Sequence, residues 1–292
     1  MSVLPKWLTK KVYYNHHYGS VHGLLESKHL HTVCVSARCP NRGECFSHGT
    51  ATFLVLGTIC TRHCRFCAVA KGKPVQQPSI NDIERLIDAV VHLGLSYVVV
   101  TSVTRDDLPD GGAGHFREII RMLKQQVPGI KVEVLIPDFN GDAHALTSVL
   151  AAEPHVLNHN VETVARLYPS VRPGAVMNRS LMILTLAKRY NRSMVKSGLM
   201  LGLGETDREI KKTINDLREA GVDILTLGQY LAPNKTSIPT VRYVWPKEFE
   251  YYQRYAEKIG IPSVVAGPFV RSSYRAEACY QHVIERRMCV GL

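Results

Sequence analysis

Short apolar runs alternate with amphipathic stretches along most of the chain. TFLVLGT (52–58), SYVVVTSV (96–103), KVEVLIP (131–137), HVLNHNVE (155–162), SGLMLGLGE (197–205), ILTLGQYL (224–231) and SVVAGPFV (263–270) are rich in Val, Leu and Ile. They are too short for helices and read as buried strands. The segments between them follow helical spacing. Ile83, Leu86, Ile87 and Val90 share one face of residues 79–94, and Gly94 supplies the stop. Phe116, Ile119, Ile120 and Leu123 line a second helix ahead of Pro128. Thr206 and Glu209 form a capping box at the start of a third, whose apolar face is Ile210, Ile214 and Leu217.

Strand–helix–strand units recurring every 25 to 45 residues or so predict an α/β fold with a parallel sheet and right-handed crossovers. Six units over residues 52–231 predict a full or partial (β/α)6 barrel of the TIM type. In such a barrel the chemistry sits in the loops that leave the strand ends. Residues 1–51 form an N-terminal extension and residues 232–292 a C-terminal tail that closes on the barrel. No low-complexity linker separates them, so a single integrated domain is expected.

Composition adds bounds. The 292 residues are 45% hydrophobic and 21% charged, ordinary for a soluble globular protein. No apolar run approaches the roughly 20 residues that span a bilayer. The basic amino end lacks an apolar stretch with a small-residue cleavage site, so no secretory signal is read. The expected compartment is the reducing cytosol. The net charge of +11 suits an acidic partner, either nucleic acid or an acidic protein surface, and suits a merely solvated basic surface equally well. The chain has no block of five like charges and no nucleic-acid motif. Neither a nucleic acid nor a membrane is expected as a partner.

The cysteines sharpen the picture. CTRHCRFC holds Cys60, Cys64 and Cys67 directly after the first predicted strand, where the barrel rule places a site. CVSARCPNRGEC, just upstream, holds Cys34, Cys39 and Cys45. In a reducing compartment such clusters bind metal or react more often than they form disulfides. Structural zinc takes four ligands, whereas three leave one metal position open, as in a reactive site. His63 is a possible fourth ligand, although a polar loop residue is the simpler reading. One zinc shared between the trios remains possible but would leave two cysteines idle, so two metal clusters fit the count better.

These motifs carry a resemblance. C-x3-C-x2-C after the first strand resembles the radical S-adenosylmethionine superfamily. The upstream C-x4-C-x5-C, TRDDLPDGGA (104–113), HNVETV (159–164), KSGLMLGLGE (196–205) and RSSYRA (271–276) are together similar to the lipoyl synthase family, over residues 30–276 or so. Val35 and Ser36 stand where acidic residues are expected, and Phe46 where Trp is expected. These positions flank the ligands and bear on local packing.

The resemblance implies two 4Fe–4S clusters and S-adenosylmethionine as cofactors. Cys60, Cys64 and Cys67 would hold the radical-generating cube, whose fourth iron S-adenosylmethionine chelates. Reductive cleavage there yields a 5′-deoxyadenosyl radical able to abstract hydrogen from an unactivated carbon. Cys34, Cys39 and Cys45 would hold an auxiliary cube that is sacrificed as the sulfur source, with Ser273, or alternatively Ser272, as its weak oxygen ligand. From the residues alone either serine is an ordinary helix cap. The implied reaction inserts two sulfur atoms, at the sixth and eighth carbons of a protein-bound octanoyl-lysine, to give lipoyl-lysine.

Implied partners are octanoylated carriers (the glycine-cleavage H protein and 2-oxoacid dehydrogenase acyltransferase subunits), an electron donor such as ferredoxin or flavodoxin, and an iron–sulfur carrier. Candidate cofactor contacts are Asp106, Asp107, Asn158, Glu162, Arg172, Lys196 and Gln229. Against these stand a solvated turn for the aspartates and plain surface charge for Arg172 and Lys196. Cys279 and Cys289 read as plain thiols of the last helix, Met200 as core, and Gly202 and Gly204 as no phosphate loop. Two rival classes are a methylthiotransferase, which should carry a further binding appendage, and a zinc-stabilised nucleic-acid-binding protein.

Overall fold

The computed structural model describes residues 4–10 and 14–290. The chain clusters into two compact units. One comprises residues 11–63 and 67–157, the other residues 1–10, 64–66 and 158–292. They are called here the N-terminal and C-terminal units.

The N-terminal unit opens with α1 (His16–Ser27), β1 (His31–Thr32), α2 (Val33–Ser36) and α3 (Arg42–Ser47). The repeat follows as β2 (Thr52–Val55), a small ladder of β3 (Ile59–Cys60) and β4 (Ala70–Lys71), α4 (Ile80–His92), β5 (Tyr97–Ser102), α5 (Ala113–Gln126), β6 (Lys131–Leu135), α6 (Ala143–Ala151) and β7 (Val156–Asn158), which ends at the unit boundary. The main sheet runs β1-β2-β5-β6-β7. β5 pairs in parallel with both β2 and β6, while the short β1 is antiparallel to β2. Val98, Val99, Val100, Val132 and Val134 are all buried, as expected of parallel strands covered on both faces. Glu133 is the exception within this apolar run. Its carboxylate is fully buried and accepts the Tyr97 hydroxyl at 2.7 Å.

The C-terminal unit contains α7 (Tyr168–Val171), α8 (Met177–Tyr190), β8 (Met194–Leu201), α9 (Asp207–Glu219), β9 (Ile224–Gln229), α10 (Pro246–Lys258), β10 (Ser263–Gly267) and α11 (Ala276–Val290). β9 pairs in parallel with both β8 and β10. The Thr206–Glu209 capping box forms, and Ile210, Ile214 and Leu217 are wholly buried. The parallel α/β class expected from the sequence is the class observed.

Each of the seven predicted strands is present, with shifted ends. The 155–162 run shortens most, to three residues, and its strand stops at Asn158. Glu162 takes a φ of +67°, which no strand accommodates, so the HNVET segment leaves as a loop and keeps only an isolated bridge from Glu162 to Leu199. α6, α8 and α10 were not among the expected helices. α10 carries a start signal in Pro246 at its first position, and α8 has no capping side chain at all.

One glycine decides how the tail approaches the sheet. A Cβ on Gly228 of β9 would lie 2.1 Å from the carbonyl oxygen of Val270, a contact only glycine permits. Gly228→Ala is expected to cost about 1–3 kcal/mol by overpacking, measured by denaturant unfolding. Unchanged stability would mean that the 268–271 segment yields freely.

Candidate active site

The two halves of the segment bearing Cys60, Cys64 and Cys67 are held by different forces. Its first half belongs to the N-terminal unit. Cys60 lies in β3, opposite Lys71 of β4, and its carbonyl accepts the Gly72 N–H at 3.0 Å. Thr61 donates both its backbone N–H and its hydroxyl to the Thr104 carbonyl, each at 3.0 Å. Arg62 is buried, with its guanidinium between two carboxylates: Nε donates to Asp106 Oδ2 at 2.8 Å, and Nη2 lies 2.6 Å from Asp138 Oδ1. Asn140 Oδ1 also accepts from Nη2, at 2.8 Å. Burial works against the charged guanidinium, but the hydrogen bonds to Asp106 and Asp138 outweigh it and hold the pKa above the usual arginine range.

Cys64, Arg65 and Phe66 belong to the C-terminal unit. The Arg65 N–H donates to Val171 O at 2.9 Å, and Arg65 O accepts the Ile238 N–H at 3.0 Å. Phe66 packs against Val171, Leu203 and Tyr230, together with Met200. Met200 is half-buried and packs against this cluster, in line with a packing role. His63 is exposed. The three thiols are half-buried.

Asp106 and Asp107 follow β5 and are engaged by arginines. Asp106 accepts from both Arg62 nitrogens, and from Asn140 Nδ2 at 3.0 Å. Asp107 takes a bidentate grip from Arg105, which also donates to Leu56 O at 3.2 Å and is 1% exposed. The Arg105 hydrogen bond is the main reason the Asp107 carboxyl lies below its usual range. Both aspartates line a cavity of about 510 Å³ with residues 108–111 and 139–142.

The second trio sits on two short helices. Cys34 is in α2 and Cys45 in α3, with Cys39 in the turn between them. The Cys39 N–H donates to Cys34 O at 3.0 Å, and the turn passes through Arg38 at φ +53°. Burial, reinforced by the nearby Cys39 charge, pushes the Cys34 thiol up to about 11, against hydrogen bonds from Thr52. Metal coordination reverses this balance, because a bound thiol is deprotonated outright. All eight cysteines are reduced, so six thiols in two trios remain available for ligation. Phe46, at the position where Trp was expected, is fully buried and packs on Tyr18 with ring centroids 5.6 Å apart. Among the described residues no three His, Cys, Asp or Glu side chains converge on one point as a single ion requires. A cube takes one thiolate per corner iron and needs no such convergence.

Polar groups gather where β7 ends. Asn158, Lys196 and Gln229 are buried to within 1% and Arg172 to within 9%, so neither cation is a surface charge. Arg172 Nη1 donates to Asn160 O and Val161 O, each at 3.0 Å, and to Tyr168 Oη at 3.1 Å. Burial raises the Glu162 carboxyl above its ordinary range, opposed by the Arg172 charge and by a hydrogen bond from Asn160 Nδ2 at 3.0 Å. Asn160 Oδ1 and Thr163 Oγ1 are buried without a hydrogen-bond partner. Such orphaned acceptors fit a polar ligand such as the methionyl or ribosyl part of S-adenosylmethionine. The Gln229 amide is engaged by the chain itself: Oε1 accepts the Val244 N–H at 2.8 Å, and Nε2 donates to Tyr230 O and Arg242 O.

Ser272 and Ser273 are half-buried in the turn before α11. The helix begins at Ala276, so neither serine is its N-cap. The simple capping reading therefore does not hold. The Tyr274 N–H closes the turn onto Arg271 O at 2.9 Å, and the Lys10 ammonium lies 5.5 Å from the Tyr274 ring centroid.

Sequence reasoning missed Arg62, Arg105, Asn160 and Thr163. Arg62 left one signal, a charged residue inside the ligand spacing, but its partners Asp138 and Asn140 lie more than 70 residues away.

The Radical SAM superfamily pattern covers residues 54–217. A lipoyl synthase of Caldicellulosiruptor saccharolyticus is 54% identical over 274 residues, spanning 94% of this chain and 96% of the relative. A lipoyl synthase of Thermus thermophilus is 48% identical over 284 residues, spanning 97% of this chain and 88% of the relative. Among solved structures, methylornithine synthase shares the fold with a TM-score of 0.54 at 14% identity, covering 96% of this chain and 94% of that one. With its two cysteine trios, its parallel α/β repeat and relatives about half identical over nearly its full length, the chain belongs to the lipoyl synthase family of the Radical SAM superfamily.

Proposed function

We propose that this chain is a radical-dependent sulfurtransferase that converts a protein-bound octanoyl-lysine to lipoyl-lysine by inserting sulfur at the sixth and eighth carbons. The observation that carries the reading is the pair of reduced cysteine trios in a chain 54% identical over 94% of its length to a lipoyl synthase. When bound, one 4Fe–4S cluster supplies the electron that cleaves S-adenosylmethionine to a hydrogen-abstracting radical, and the second supplies sulfur.

The chain's own residues hold, orient and shield. Cys60, Cys64 and Cys67 hold the first cluster, on a loop pinned by Arg62 on one flank and Phe66 on the other. Cys34, Cys39 and Cys45 hold the second, with Ser273, or Ser272, as the oxygen ligand. An oxygen on a soft iron site is a poor match, and this suits a cluster that must come apart. Asn158, Glu162, Arg172 and Lys196 contact S-adenosylmethionine beyond β7, where Asn160 and Thr163 offer free acceptors. Asp106 and Asp107 are further candidate contacts, gripped by Arg62 and Arg105, and Gln229 holds the 242–244 backbone.

The substrate is borne by a lipoyl carrier. The glycine-cleavage H protein and 2-oxoacid dehydrogenase acyltransferase subunits are the proposed carriers. Ferredoxin or flavodoxin is the proposed donor, and an iron–sulfur carrier rebuilds the second cluster. No described helix is long and apolar enough to cross a membrane, and the proposed compartment is the cytoplasm.

Anaerobic reconstitution followed by iron and sulfide analysis tests the reading. About eight irons per chain are expected, with conversion of an octanoyl-lysyl peptide on addition of S-adenosylmethionine and dithionite. A colourless zinc protein, or a brown one holding a single cube, would overturn it.

A further inference from the structure

The chain's charge is unevenly sorted. Lys and Arg number 13 against 13 Asp and Glu in the N-terminal unit, and 23 against 12 in the C-terminal unit, so the latter carries the whole net charge of +11. The same unit displays an aromatic pair. The only two tryptophans of the sequence, Trp7 and Trp245, pack against each other with ring centroids 4.0 Å apart and planes tilted by 30°, and Trp245 is 58% exposed. Val241, four residues earlier, is 62% exposed. Lys6 and Lys247, adjacent in sequence to Trp7 and two residues beyond Trp245, are exposed, as are Arg65 and Lys235.

The segment that carries the patch meets the cysteine loop at Arg65. The same segment lies on the ends of β8 and β9: the Val241 N–H donates to Gly202 O at 2.9 Å, and the Val244 N–H donates to Gln229 Oε1 at 2.8 Å. The Ile238 N–H bonds the backbone of Arg65, between Cys64 and Cys67. A tryptophan braced by a second ring and left facing solvent is the form of an interface anchor. Exposed cations on the same and the contacting segments favour an acidic partner and speed encounter.

We propose that Trp245 and Val241, together with the exposed Lys6, Arg65, Lys235 and Lys247 of the same unit, form the docking surface for an acidic carrier domain that delivers the acyl-lysine to the cluster loop. This rests on the reading of the substrate as carrier-borne. The test compares wild type, Trp245→Ala and the double variant Lys235→Glu/Lys247→Glu on two substrates, an octanoylated carrier domain and a short octanoyl-lysyl peptide, with dithionite as reductant. Both variants are expected to raise KM for the carrier at least about tenfold, the factor that loss of one interface hot spot produces. Turnover of the peptide should be unchanged, and added salt should raise the wild-type KM for the carrier alone. An unchanged carrier KM in both variants overturns the proposal. So does sedimentation showing a wild-type dimer that Trp245→Ala dissociates without changing that KM, since the face would then join two copies of this chain. If wild type converts neither substrate, the sulfurtransferase reading fails instead, and direct titration of the carrier onto the enzyme still reads the surface.

Discussion

Cys64→Ala is expected to abolish reductive cleavage of S-adenosylmethionine, whereas Cys34→Ala leaves cleavage intact and abolishes sulfur insertion. The contrast follows from the separation of the two trios along the chain. Cys64 sits in the loop pinned by Arg62 and Phe66, and Cys34 lies on α2 within a turn of its own. Loss of one thiolate of three leaves an iron corner without its soft ligand, and neither trio has a spare cysteine in sequence reach. Both changes remove only one small side chain, so unfolding temperatures close to wild type are the control. Anaerobic assays that quantify 5′-deoxyadenosine and lipoyl product side by side decide the matter. Lipoyl product from the Cys34 variant would remove the auxiliary role from its trio. Deoxyadenosine from the Cys64 variant would remove the radical role from the other.

Arg62→Ala should be the most damaging change outside the thiols. Its guanidinium is 8% exposed, and its partner Asp138 is fully buried. Removing the cation strands a buried carboxylate, a loss of about 3–5 kcal/mol in other proteins. The anchor of the first half of the cluster loop is lost with it. Unfolding in denaturant should show the stability loss, and reconstitution should show reduced iron content. Arg62→Lys keeps the charge but not the two-pronged grip, so it should fall between. Adding Asp138→Asn to Arg62→Ala removes the stranded charge and should restore part of the stability. Iron content and stability both equal to wild type in Arg62→Ala would show that the loop does not depend on this pin.

The repeat was legible because its strands are buried on both faces and its helices are amphipathic. Val98–Val100 and Ile210, Ile214 and Leu217 announce their environment by composition and spacing, which are local properties. The trios were legible for the same reason: thiols three to six residues apart can share a metal whatever the rest of the chain does. α8 was not legible, because it starts without a cap and depends on the sheet it covers. The end of β7 was misread because one residue, Glu162, turns to φ +67° inside an otherwise extended run, with its N–H donating to Gly198 O on a neighbouring strand.

What the sequence alone determined is therefore the parallel α/β class, the two sets of three thiols and the family they indicate, since each depends on residues close together in the chain. The tertiary structure alone decided that Arg62 is a buried anchor, that Lys196 and Arg172 lie inside the protein, that Ser273 stands ahead of its helix, and that the net charge gathers in one unit beside an exposed tryptophan. Those outcomes depend on burial and on partners dozens of residues away. An isolated charged residue reads the same in sequence whether water or a carboxylate surrounds it.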